Sequence, residues 1–517
     1  MDVERAASRS SSGEKASLLV TGGSGSLVDV EELQQRAPME SSEPRADELN
    51  VEENVTDYRL YKWRFAGVVG IMGLNIVGGM NWPWFGPIAN NTASQFGITL
   101  DQVNWLGNVI SIMYLAAAPV IPILCRRYGL RVCYFIGVVF IILASWVRFA
   151  ATAKSLNAHG AYALLVLGQL FGSVAQATFQ VLAPRFSEKW FDMKGRTTAT
   201  MLMSISNPIG GALGQLISPL VSTPKKSVLV LGVISTVATP LVFLIWDSPP
   251  TPPSYAGSVE TPSFFTTVRA MVGKLPPPKE NTGTSANAYM SLRERVDFII
   301  VFMIFGVLVG GTNSFSLLSD QLLEPYGYSS DTAGFMGAAL LLSGIVAAII
   351  TSPLFDRVFT HHLALAARIF TPLIAAAWIS LIWAVRPNNA AALYAIFVII
   401  GVFSVTILPV GLELGVELTR NASASSAALW WSGNLWGTVF VLVMQALRAS
   451  DSASPPFNMH RSLIFQGVFI GVVVSSVLIL RGRQARRETD VMMLERSKPS
   501  QNLDSQTKVP DDVGQAL

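Results

Sequence analysis

The chain has 517 residues, of which 51% are hydrophobic and only 14% charged, with a net charge of +3. A soluble chain of this length carries nearer a quarter charged residues and divides into several domains, so the composition excludes an ordinary soluble protein. The sequence contains no nucleophile elbow, phosphate-binding loop or paired-carboxylate motif. Its four histidines, with only His361 and His362 adjacent, make no metal-ligand pattern. Neither catalysis, a cofactor, a metal nor a nucleic-acid partner is expected.

Residues 1–57 are rich in Ser, Gly and Glu and poor in aromatics, a composition expected to stay disordered. Glu14, Leu18 and Leu19 match the acidic dileucine pattern read by sorting adaptors, an address for a vacuolar or lysosomal membrane. From Trp63 onward the apolar runs predict twelve spans, near 64–87, 103–124, 131–151, 160–183, 198–220 and 228–246, then 297–319, 333–354, 364–385, 391–412, 426–447 and 463–480. The domain plan is a tail (1–57), a six-helix half (58–246), a polar, proline-rich linker (247–295), a second six-helix half (296–480) and a disordered tail (481–517).

Basic residues gather in alternate loops, with Arg126, Arg127, Arg131, Arg185, Lys189, Lys194 and Arg196 among those on one side and chiefly Lys154, Lys225, Lys226, Arg386, Arg448 and Arg461 on the other. The positive-inside rule then puts both termini and the linker in the cytosol. Cys125 and Cys133 flank a cytosolic turn and are expected to be free thiols. The sequon at Asn90 falls on the opposite side.

The most informative stretch is Leu74–Asn91, which carries Gly78, Gly79, Trp82, Pro83, Trp84, Phe85 and Pro87. Gly and Pro interrupt a membrane helix only where a neighbour or an aqueous cavity satisfies the freed backbone groups, and transporters bind solutes at such breaks. At helical spacing Asn75, Gly79, Trp82 and Gly86 share a face, which suits a cavity wall. The competing reading is an aromatic belt at the bilayer surface. Polar stripes follow at Gln169, Ser173, Gln176 and Gln180, at Ser204, Asn207, Gly211, Gln215 and Ser218, and at Thr312, Ser316 and Ser319. One stripe reads as interhelical glue; three beside a broken helix favour a shared cavity. The eleventh span adds Trp430, Trp431, Asn434 and Trp436. Arg148, Asp320, Glu413 and Glu417 lie near span ends, within snorkelling reach of an interface. Aromatics with amides and no central cation suit a neutral polar solute or an organic cation held by cation–π contacts.

Six spans, a linker and six spans, with basic short loops on one side, form the pattern of the major facilitator superfamily. Its loop motif is resembled by CRRYGLR, which contributes Arg127 and Gly129, and by the segment holding Asp356 and Arg357. The first copy has Arg126 in the acidic position, leaving Asp356 as the carboxylate for the motif's gating contact. The runs GPIANNTASQFG, GLRVCYF, LGQLFGSVAQATF and SEKWFDMKGRTTATMLMSISNPIGGALG further resemble the solute carrier 49 family, whose members include the feline leukaemia virus subgroup C receptor proteins and the "disrupted in renal carcinoma" protein. WPWFGPIANN, LPVGLELGVELT and the dileucine look more like the second of these. The resemblance implies a substrate site at Trp82 and Gln176, with Thr312 where the receptor branch has tyrosine and Asn434 where it has glutamine. Phe315 and Asn75 are further candidates. The receptor branch is associated with choline and ethanolamine and with proposals of haem export. The other is associated with proton-linked pyridoxine export, for which Glu413, Glu417 or Asp320 would carry the proton.

The expectation is therefore an all-α membrane protein with twelve transmembrane helices in two six-helix halves. It moves a small organic solute, pyridoxine-like or choline-like, by alternating access. The alternatives are a transporter-like sensor without substantial flux, or haem-type export. Its partners are the bilayer, the solute, protons and sorting adaptors, and its place is a vacuolar or lysosomal membrane or the plasma membrane. Replacing Leu18 and Leu19 by Ala is expected to move a fluorescently tagged chain from an acidic organelle to the cell surface. An unchanged distribution would reduce the dileucine to chance.

Overall fold

The computed structural model describes residues 58–259, 261–277, 288–354 and 362–496. Glu14, Leu18, Leu19, Asp356 and Arg357 lie outside them. Among the described residues ten helices are long and apolar enough to cross a membrane. Leu100–Ala117 and Val120–Tyr128, bent by 51° around Ala118 and Pro119, make an eleventh. The remaining predicted span is the 25-residue helix Arg196–Leu220. At 1.5 Å per residue it is about 37 Å long, and it is less apolar than the others because Ser204, Asn207, Gln215 and Ser218 are buried along it.

In chain order the spans are Trp63–Asn81, the bent pair, Leu130–Ala150, Ala158–Val181, Arg196–Leu220 and Pro224–Leu244, and then Leu292–Leu323, Ser330–Leu354, Leu363–Ala384, Ala390–Thr419, Ala422–Ala446 and His460–Ile479. They are called first to twelfth below. Each half is built on helix pairs that approach closely through glycine. A Cβ on Gly79 of the first helix would come within 2.2 Å of the Asn207 carbonyl oxygen, and one on Gly210 of the fifth within 1.9 Å of the Ile76 carbonyl oxygen. The second half repeats this between the seventh and eleventh helices, where a Cβ on Gly310 would lie 2.6 Å from the Gly437 nitrogen. With lipid as solvent, close packing of small residues replaces the hydrophobic effect as the force between helices.

The first helix stops at Asn81, and Trp82–Ile88 is turn. The predicted break is real, but the predicted face is not continuous. Gly86 donates to the Pro83 carbonyl, 3.1 Å away, within the turn and does not extend the row of Asn75, Gly79 and Trp82. Trp84 and Phe85 are buried in a cluster with Phe96, Leu165 and Val228. They face neither lipid nor cavity, because the turn folds them back under the short helix Ala89–Phe96.

The tail expected to be disordered from residue 481 begins with structure. Asp297 of the seventh helix accepts hydrogen bonds from the backbone of Arg481 (3.1 Å) and Gly482 (2.9 Å), and Gly482 turns with a φ of 62°. The helix Ala485–Arg496 follows. Composition reads this basic stretch as solvated; Arg486 instead finds buried carboxylates.

Gly210→Ala is expected to destabilise the chain by about 1–3 kcal/mol, since the methyl group meets backbone that cannot yield. Gly334→Ala, whose new methyl group meets nothing within 4 Å, is the control. Thermal unfolding of both in detergent tests the contact, and equal melting of the two would remove it as an organising feature.

Candidate functional site

Between the halves lies a cavity. Trp82 of the first helix and Asn207 and Pro208 of the fifth form one side. The seventh to eleventh helices form the rest, including Phe305, Thr312, Asn313, Leu341, Thr371, Ser404 and Trp430. None of the described lining residues is charged. Trp82 reaches this position because the helix break releases it across the fifth helix at Gly211. The indole nitrogen would lie 3.6 Å from a Cβ there. Phe305 meets Trp430 edge to face, with ring centroids 5.3 Å apart, so two aromatic rings of the second half oppose Trp82 in one chamber. Thr312 and Thr371 donate to their own helices, at Leu308 and Ala367, and leave lone pairs for the chamber.

Of the six sequence-derived substrate candidates, Trp82 and Thr312 line the cavity. The other four do not. Asn75 donates to the carbonyls of Phe179 (3.3 Å) and Met203 (3.1 Å), tying three helices together. Phe315 is buried against Phe397 at 4.3 Å and against Trp378, inside the second half. Asn434 donates to Trp430 one turn back, at 2.9 Å. Gln176 lies behind the first helix, where a Cβ on Gly78 would sit 3.6 Å from its Cα, and its side-chain oxygen is buried without a partner. Two members of the fourth-helix stripe act as glue, Ser173 (to the Ile110 carbonyl, 2.7 Å) and Gln169 (to the Leu106 carbonyl, 3.3 Å), whereas Gln176 and Gln180 each keep a buried oxygen without a partner. Helical spacing identified the polar faces but not which of them meets the cavity and which a neighbouring backbone.

Arg148 does not snorkel. It is fully buried, and its guanidinium donates to the Ala144 carbonyl (2.9 Å), the Gln169 carboxamide oxygen (2.8 Å) and the Asn81 carboxamide oxygen. Asn81 is the last residue of the first helix, so this arginine fixes the break that presents Trp82. No sequence signal separates it from an interfacial arginine except its position one helical turn in from the end.

Glu413 and Glu417 are also buried rather than interfacial. Both accept from Arg486 of the C-terminal helix, Glu417 at 2.9–3.0 Å. The same guanidinium lies 3.4 Å from Glu188, which belongs to the first half. Burial alone would lower the Arg486 pKa; Glu417, Glu413, Glu188 and Asp490 outweigh it and hold the group above its ordinary value. One turn along, Asp490 pairs with Arg196 at 3.2 Å and accepts from the Ala256 nitrogen at 2.8 Å. The C-terminal helix therefore clamps the two halves at the arginine-rich end. Glu413 and Glu417 are thus engaged by the C-terminal helix and are not among the cavity-lining residues. Asp320 is outside the cavity wall and has one buried carboxylate oxygen without a partner.

The loop motif is also satisfied differently from expectation. Asp247, at the end of the sixth span, accepts from the backbone of Leu130 (2.5 Å) and Arg131 (3.4 Å) and lies 3.6 Å from the Lys189 ammonium. Gly129, with a φ of 83°, must be glycine here because a Cβ would fall 2.8 Å from that carboxylate. Arg127 stacks 5.3 Å from the Tyr128 ring. The carboxylate missing from the motif's first copy is supplied by another helix, which a linear motif does not reveal. Cys125 and Cys133 are free, as expected.

Two pseudo-equivalent helix halves around a central chamber define a transporter of the major facilitator type. Residues 71–441 match the Major Facilitator Superfamily, and the chain belongs to it. The resemblance to solute carrier 49 holds as well. The chain is 28% identical to "Solute carrier family 49 member A3" of Xenopus tropicalis, over 79% of this chain and 83% of that one. It is 23% identical to human "Choline/ethanolamine transporter FLVCR2", over 90% and 86%. The human organic anion transporter MFSD10 has the same fold, with a TM-score of 0.58 at 11% identity, over 80% of this chain and 99% of that one. The protein is a multi-pass membrane transporter of this superfamily.

Arg486→Ala leaves the buried carboxylates of Glu413 and Glu417 without their counter-charge, while Glu188 keeps Arg185 at 2.5 Å, and is expected to cost about 3–5 kcal/mol. It should also speed labelling of Cys125, which sits at the clamped end, by a water-soluble maleimide. Unchanged melting together with unchanged labelling would show that the C-terminal helix is no clamp.

Proposed function

We propose that this transporter moves a small choline-like organic cation by alternating access. The chamber between Trp82, Phe305 and Trp430 carries the reading: three aromatic rings and no fixed charge. Such a wall attracts a quaternary ammonium through the negative ring faces, worth about 2 kcal/mol or more per contact when desolvated. The cation sheds little hydration on entry because its charge is spread over methyl groups. An anion would find no counter-charge. Two relatives' names, human FLVCR2 and feline FLVCR1, denote choline/ethanolamine transporters, which agrees with this chemistry. Thr312 stands in the place of a family tyrosine, and Trp430 supplies aromatic wall from a different helix.

In this reading the arginine-rich end faces the cytosol, in accord with the positive-inside rule. The clamp formed by Arg486 closes that end while the solute sits in the chamber, and the solute leaves unaltered. Release requires the clamp to part, and water entering between the halves rehydrates the separated charges. A pyridoxine-like solute is the second reading. It needs a titratable group if its movement is proton-linked, and Asp320 is the one of the three sequence-derived carboxylates that the clamp does not engage.

The test is uptake of labelled choline and of labelled pyridoxine by purified protein in liposomes, with and without an inward proton gradient. Choline uptake should exceed pyridoxine uptake and should fall at least tenfold in Trp82→Ala while the protein's melting temperature holds. Binding without turnover would mark a sensor. Gradient-dependent pyridoxine uptake that Asp320→Asn abolishes would favour the second reading.

A further inference from the structure

The chain has two cysteines in 517 residues, and the fold places them together. Cys125 lies in the last turn of the second span and Cys133 in the first turn of the third, each four residues from Gly129. The turn at Gly129 folds the two helix ends against each other, so positions equally far from it come opposite. The two side chains share a hydrogen bond. Cys133 is buried, whereas Cys125 is partly exposed and lines a polar cavity at the arginine-rich end. Arg126, Arg185 and Lys189 line that cavity beside one carboxylate, Asp247, and Asn421 and Ser423 bring in the eleventh helix from the other half. None of its described lining residues belongs to the central chamber. Reactive cysteines occur in partly exposed, electropositive surroundings, and buried structural ones are inert. The pair therefore has one thiol open to a reagent and a second directly behind it.

The helix that carries Cys125 is mechanically separate from the rest of its span. Val120–Tyr128 leaves Leu100–Ala117 at 51° across Ala118 and Pro119. Proline removes a hydrogen bond from the helix ladder and concentrates the bend at one place. The short segment packs on the third helix of its own half and on the eleventh helix of the other. When the halves part at this end, the segment cannot follow both. A covalent link to the third helix would decide which it follows.

We propose that Cys125 and Cys133 form a reversible regulatory disulfide, made by hydrogen peroxide, that pins the hinged segment Val120–Tyr128 to the third helix and slows transport. Peroxide enters through the polar cavity. Cys125 Sγ, as thiolate, attacks one peroxide oxygen and the O–O bond breaks. The departing hydroxide takes up the proton that the thiol had lost and leaves as water, and a sulfenic acid remains on Cys125. Cys133 Sγ attacks that sulfur and gives up its proton while the S–O bond breaks, which releases a second water. Two thiols are thus oxidised by two electrons and one peroxide is reduced to two waters. Exchange with a dithiol reverses the link. Disulfides on the cytosolic side are chiefly of this transient, sensing kind. The effect on transport rests on the transport reading above and on its cytosolic placement of this end; the disulfide itself does not.

The experiment uses full-length protein, oxidised with hydrogen peroxide in detergent and then reconstituted in liposomes for choline uptake. Peptide mass mapping is expected to find the Cys125 and Cys133 peptides joined, two hydrogens lighter than the reduced pair. Uptake should fall about fivefold, as for a slowed conformational step, and return with dithiothreitol. Cys125→Ser and Cys133→Ser should each transport at the wild-type level and lose the response, which separates the disulfide from oxidation of the 16 methionines. In Cys133→Ser, dimedone should trap a sulfenic acid on Cys125. A joined pair with unchanged uptake overturns the switch, as does a fall in uptake that persists in both serine variants. Peroxide treatment that joins no peptides overturns the pairing itself. If neither choline nor pyridoxine is carried, the transport reading falls on its own, and hydrogen exchange across Val120–Tyr128 decides the rest. Slower exchange in the oxidised protein supports the pinned segment, and equal exchange overturns it.

Discussion

Arg486 sits where three carboxylates from two halves of the molecule converge, and the arrangement is stable only as a set. A guanidinium buried there alone, or Glu413 and Glu417 without it, would carry an uncompensated desolvation penalty, whereas Glu188 also pairs with Arg185. The C-terminal helix is held in place by the same logic at smaller scale, through Asp297 on the chain entering it and Arg196 on Asp490 one turn later. Because Glu188 belongs to one half and Glu413 and Glu417 to the other, the relative position of the halves at this end depends on Arg486 together with the Asp490–Arg196 pair. The chamber lies between those halves, so its shape depends on it too. A clamp that is stable dry and separable when wetted suits a molecule whose ends must alternate.

Polar groups inside the bundle fall into two kinds. Most satisfy a neighbouring backbone carbonyl and hold helices in register, as Asn75, Ser173, Gln169 and Gln466 do. Others are left unsatisfied, Asn207 and Trp430 on the chamber wall and Trp84, Tyr114, Gln180 and Trp378 away from it. Arg148 stands between the kinds. It touches no solute-lining atom, yet it holds Asn81, and Asn81 ends the helix that would otherwise carry Trp82 past the cavity. A positive charge tucked among amide oxygens is an expensive way to end a helix. It makes the break sharp and single-valued, which a cavity wall requires.

The chain by itself determined the number and order of the spans, because an apolar run of about twenty residues has few fates other than crossing a bilayer. It marked a break within Leu74–Asn91, because paired glycines, clustered aromatics and two prolines there disfavour an uninterrupted membrane helix. Trp82 and Thr312 were legible as wall residues from that break and from the seventh-helix stripe. The family pattern was legible in motif runs spread over most of the chain. Which polar face meets a cavity was not legible, since glue and lining share the same residue types and the same helical spacing. Gln176 and Asn434, singled out by the family resemblance, are not among the cavity-lining residues, while Asn207, on an equally visible stripe, lines the chamber. The fates of Glu413 and Glu417 were equally hidden. Their partner lies 69 residues or more along the chain, in a stretch whose composition alone reads as solvated. Tertiary structure decided these matters because pairing of buried charges depends on distance in space, and the sequence records distance only along the chain.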